Sequence, residues 1–177
     1  MLAAPSSPAW RIALFVMVVA SILWLGAVSC RAIIGNDMLK PGTMEFEEYL
    51  APEAEAEIFR LVAIMSAVAI PSYLAALAGS IIFLAASPFK LKEHGWLAMS
   101  AILFYIFVPV EVFTMVLDAR IVYEQFFTTS DNNVFKGLFR ARLEALAGTP
   151  VIAMLCYYTI VGLAIFQPLR AADHTQS

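Results

Sequence analysis

Histidine is nearly missing from this chain. The two that occur, His94 and His174, both lie outside the long apolar runs. That excludes a bis-histidine haem between helices and a Glu-x-x-His di-iron centre. Cysteine is as scarce. Cys30 and Cys156 stand alone in apolar surroundings, with no CxxC and no Cys/His spacing, so neither a redox pair nor a zinc site has a sequence basis. No glycine-rich phosphate loop is present, and no Ser/His/Asp set offers a hydrolase its base. The sequence predicts no cofactor, no metal and no catalytic residues.

Charge is the other deficit. Charged residues are 14% of the 177 and hydrophobic ones 62%, with a mean hydropathy of +0.81. An average soluble domain carries about 25% charged residues. The expected class is an integral membrane protein. The few basic residues are scattered and the formal net charge is −3, so nothing resembles an electrostatic footprint for nucleic acid. Alternating ten-residue strands, the mark of a membrane barrel, are absent, and the fold class expected is all-α.

What the chain does have is apolar length. A helix needs about 20 apolar residues to cross a bilayer core. Four segments qualify: 12–34, 61–86, 97–117 and 147–169. The first is too long for a signal peptide and lacks a clean cleavage pattern, so it is read as a span. The reading is a single membrane domain over 1–177, an antiparallel bundle of four transmembrane helices. Both termini and the loop 87–95 then share one side (side A), and the loops 35–57 and 118–142 share the other (side B). Pro71 and Pro109 fall inside spans two and three and are expected to bend them. Span two carries Ser72, Ala76 and Ser80 on one stripe, beside Ala75 and Gly79, as close helix packing in lipid requires.

Side B is expected to carry helical extensions. Residues 45–57, "EFEEYLAPEAEAE", hold six glutamates, and Pro52 followed by acidic residues reads as a helix start ahead of span two. Helix three should continue through "DARIVYEQFF", and helix four should begin near Asn133 with the amphipathic "NVFKGLFRARLEAL". Arg60, Arg120, Arg140 and Arg142 would then form a charged collar with the glutamates, or a docking face for a protein partner or lipid headgroups. The expected location is the inner (cytoplasmic) membrane of a bacterium. Its orientation stays open, because side B holds more Lys and Arg overall while Lys90 and Lys92 crowd the short loop of side A.

The chemistry that remains is acidic. Glu111 and Asp118 sit seven residues apart in span three, about 20° apart on one helical face, with Thr114 between them. An unpaired carboxylate at the depth of Glu111 is costly, so it must be protonated, paired or facing a polar cavity. Arg31, near the side B end of span one, is the expected partner of Glu111, with Asp118 and Arg60 as a shallower pair. Thr114 is placed to bridge the two acids.

Three functions stay open on this sequence. The favoured one is a non-catalytic accessory or assembly subunit with lipids and a protein partner, or further copies of itself, around it. The alternative is a small transporter or proton-conducting element using Glu111 and Asp118. The third, an enzyme acting on lipid, has only the side B arginines in its favour.

Overall fold

The computed structural model describes residues 8–40, 43, 45–47, 50–89, 91–128, 132–144 and 149–168. They form six helices: α1 (Ala9–Asn36), α2 (Pro52–Ala86), α3 (Gly95–Ile106), α4 (Val108–Phe127), α5 (Asn132–Glu144) and α6 (Thr149–Phe166). Among the described residues there is no strand, and an isolated antiparallel bridge joins Leu39 and Phe46.

Local sequence explains most of the boundaries. Pro52 opens α2, where its fixed φ is preorganised for a helix, and Glu53 and Glu55 in the first turn complement the helix dipole. The helix ends at Ser87, whose extended conformation is the one favoured before a proline, here Pro88. Pro71 stays inside α2 without ending it. Pro109 acts differently. It lies in the first turn of α4, behind a break at Phe107 that turns the chain by 40°. The third span expected over 97–117, with a bend at Pro109, is therefore two helices broken at Phe107. Proline cannot donate to the carbonyl four residues back and its ring crowds that carbonyl, so the chain restarts the helix with proline at its cheapest position.

Helices α1 and α2, of 28 and 35 residues, are each long and apolar enough to cross a membrane. Helices α3 and α4 pass the same test together as one bent span. Helix α6 is apolar but short, with its apolar stretch at Val151–Phe166. Two helices, or three elements counting the bent pair as one, are thus long and apolar enough to cross a membrane. Residues 147, 148 and 169 of the fourth expected span lie outside the described residues. So do 145 and 146, over which helix four was expected to run on from Asn133.

α1 and α2 run antiparallel, since Ala13 and Met17 abut Gly79, Trp24 meets Tyr73, and Arg31 meets Ser66. The ring of Tyr157 on α6 closes on Trp24 with centroids 4.5 Å apart. One buried cluster surrounds these rings with Ala27, Ala69 and Ala153, and a second joins Met38, Phe59, Val62, Ile121, Phe135 and Phe139 towards side B. Outward faces are apolar: Phe15, Ile22, Ile81, Ile102, Ile106, Leu155 and Ile165 are all exposed. Water would not tolerate so continuous a belt, whereas lipid solvates it, and the chain has the build of a membrane protein.

Candidate functional site

Between those two buried clusters lies a polar layer. Arg31, on the face of α1 that also buries Trp24, Ala27 and Gly35, is 5% exposed. Its Nη1 donates to Ser66 Oγ on α2 at 3.0 Å and to Asp118 Oδ2 on α4 at 2.5 Å. The other carboxylate oxygen of Asp118 accepts from Arg142 Nε on α5 at 2.7 Å. Four helices thus contribute one side chain each to a buried cluster of two guanidiniums, one carboxylate and one hydroxyl. Charge-assisted hydrogen bonds between guanidinium and carboxylate are the strong class. Their net effect on stability is limited by the desolvation of three charges.

This pairing corrects the one expected. Arg31 takes Asp118, and no ion pair joins it to Glu111 among the described residues. Arg60 does not reach Asp118 either. It grips Glu57, one turn earlier on α2, through Nε at 2.8 Å and Nη2 at 2.7 Å. Those hydrogen bonds hold the Glu57 carboxyl below the usual carboxylate range and raise Arg60. Thr114 does not bridge the acids: its hydroxyl donates to the backbone carbonyl of Glu111 at 3.0 Å.

Glu111 is half-buried and lines a chamber of about 20 Å³ with Trp24, Arg31, Thr114, Arg142 and Tyr157. That volume admits about one water molecule. The Tyr157 hydroxyl approaches the Glu111 carboxyl, yet it is buried and makes no hydrogen bond of ordinary geometry among the described residues. Arg31 and Arg142 also line a larger cavity of about 230 Å³ between α1, α5 and α6. A third space, an apolar crevice of about 380 Å³, opens between α1, α2, α3 and α6, with Ile22, Leu84, Phe104 and Ile160 among its walls.

The other collar residues point elsewhere. Arg140 lies 5.5 Å from the ring of Phe46 and 3.7 Å from Glu144. Arg120 is exposed and lines an open depression with Tyr123 and Glu124. Lys136 approaches Glu55 Oε1 at 2.7 Å, an ion pair at an angle outside hydrogen-bond geometry, and ties α5 to α2. Arg142 therefore leaves the collar and joins the interior. Its spacing carries the signal, because Phe135, Phe139 and Arg142 follow one another at four and three residues along one face of α5. Ser66, a lone hydroxyl in an apolar run, and Tyr157 carried no comparable mark.

Among the described residues, no three His, Cys, Asp or Glu side chains converge as a metal site requires. Comparison with protein-family models, curated proteins and solved structures finds no match to this chain.

Proposed function

We propose that the chain is a non-catalytic integral membrane protein, an accessory or assembly subunit of a larger complex in a bacterial inner membrane. In this reading it forms a four-span antiparallel bundle of α1, α2, the bent pair α3–α4, and α6. One observation carries the proposal: the most buried charges are used on one another. Asp118 is held by Arg31 and Arg142, which ties α4 to α1 and α5 and leaves neither of its carboxylate oxygens free to act as a base. The apolar crevice beside α1 and α6 supports a partner helix as its neighbour, since lipid-embedded helices associate by filling such grooves.

Purification in mild detergent followed by mass analysis of co-purifying chains tests the proposal. A stoichiometric second chain, or a defined multimer of this one, is expected, and a monodisperse monomer at every detergent concentration would overturn it. Reporter fusions at residues 90 and 177 should report one compartment, and fusions at 45 and 130 the other. Opposite compartments for 90 and 177 would remove α6 from the spans.

A second reading draws on Glu111 alone. Its carboxyl faces a chamber the size of one water, beside two arginines and a tyrosine, as a proton-conducting element would need.

A further inference from the structure

We propose that the cavity between α1, α5 and α6 binds the headgroup phosphate of an acidic phospholipid. The cavity measures about 230 Å³ and is lined by Arg31, Arg142 and Asn36, with Val28, Leu143 and Met154 among its apolar walls. Asp118 is not part of its lining. The carboxylate bonds both guanidiniums and holds them in place, so the described lining of the cavity carries cations and no acid. Arg142 binds Asp118 through Nε and Arg31 binds it through Nη1, leaving the remaining nitrogens of both planar groups for an anion. Arginine pairs of this kind match phosphate oxygens in geometry as well as charge.

Charge counting points the same way. Two guanidiniums against one carboxylate leave one positive charge in excess. A further acid, Glu111, lines the adjoining chamber of about 20 Å³ and makes no ion pair among the described residues. The excess is answered by Glu111 or by an anion in the cavity, and the two compete.

Position favours a lipid over a free ion. The cavity lies where α1 ends, beside α5, which turns Phe135 and Phe139 inward and leaves Arg140 exposed. That is headgroup level for the side B leaflet, where basic pockets between helices hold anionic headgroups. Val28, Val151 and Met154 continue the cavity with apolar surface, which suits an acyl ester and not a hydrated ion. Ala32, exposed at the cavity, gives it a mouth towards lipid. The proposal needs α1 and α6 in the bilayer but no protein partner, so it survives a failure to find one.

The test is native mass spectrometry of delipidated protein titrated with phosphatidylglycerol, phosphatidylcholine and glycerol phosphate. One phosphatidylglycerol should be retained about tenfold more tightly than phosphatidylcholine, and glycerol phosphate should not bind. Ala32→Trp, which fills the mouth and leaves every charge in place, should abolish retention without changing the melting temperature. Glu111→Gln removes the internal competitor and should tighten binding several-fold. Equal retention of the two lipids, or undiminished retention by Ala32→Trp, would overturn the proposal. Binding of glycerol phosphate as tightly as the lipid would mark a site for soluble anions and overturn it as well.

Discussion

Arg31 and Asp118, 87 residues apart in the chain, meet at 2.5 Å in a layer where their side chains are 5% and 4% exposed. Ser66 accepts a second bond from the same nitrogen, and Arg142 takes the other carboxylate oxygen. One acid thus fixes the relation of α4 to both α1 and α5. Removing it strands two cations in the interior, which costs more than the pairing gains.

The first prediction follows from that asymmetry. Asp118→Ala should destabilise the protein by about 3–5 kcal/mol, the usual cost of breaking a buried pair from one side. Replacing the whole cluster by Arg31→Met, Asp118→Leu and Arg142→Met should recover most of that loss, because apolar groups of similar volume need no counter-charge. Thermal unfolding in one detergent decides it. A triple variant no better than Asp118→Ala would mean the cluster does not act as a unit.

A second prediction concerns the contact of α1 with α2. A Cβ at Gly79 would lie 3.1 Å from the carbonyl oxygen of Ala13 and from the backbone nitrogen and Cβ of Met17. Backbone cannot give way as a flexible side chain can. Gly79→Leu should therefore cost about 1–3 kcal/mol by overpacking. Gly162 on α6 has nothing within 4 Å, so Gly162→Leu should be neutral or mildly stabilising. Equal effects at the two glycines would contradict the close approach.

Much of this architecture was legible in the sequence. Apolar run length gave α1 and α2, the acidic turn after Pro52 gave the early start of α2, and Gly79, beside the stripe of small residues, lies against α1. The break at Phe107 was not legible, because a proline in an apolar run is compatible with a kink or a restart, and neighbouring helices decide which. Arg31 was recognisable as an interior cation, but its partner was not. Glu111 and Asp118 share one face about two turns apart, so the choice rests on the axial offset of α4 against α1. Span ends do not fix that offset to within two turns. Ser66 was invisible for a plainer reason: a single serine in a span bonds its own helix as readily as a neighbour.

The exposed arginine should behave unlike the buried ones. Glu57 is held below its ordinary value of 4.5 by hydrogen bonds from Arg60. A lowered folded-state pKa stabilises above the unfolded value and is lost as pH falls through the folded one, so whatever the pair contributes is present at neutral pH and disappears as pH falls below 4.5. Arg60→Ala should return the Glu57 midpoint upwards, read by carboxyl NMR titration. The melting temperature at neutral pH should fall only slightly, because both side chains are in solvent, where such a pair contributes little.

The last prediction separates architecture from conduction. A relay through Glu111 and Asp118 requires both acids to take and release protons during turnover. Asp118 is poorly placed for that, with a guanidinium bonded to each of its oxygens. Thr114, the one hydroxyl between the acids, is bonded to the Glu111 carbonyl instead. Glu111 alone faces a chamber that holds about one water, which is too little to connect two membrane surfaces. Purified protein in liposomes should therefore show no proton flux above the lipid background. Glu111→Gln should fold normally, since the amide fits the same space and no ion pair is lost, whereas Glu111→Gln with Asp118→Asn should fold poorly or lose its partners. A wild-type proton current, abolished in a double variant that still folds, would overturn this reading and make the acidic stripe of α4 a pathway.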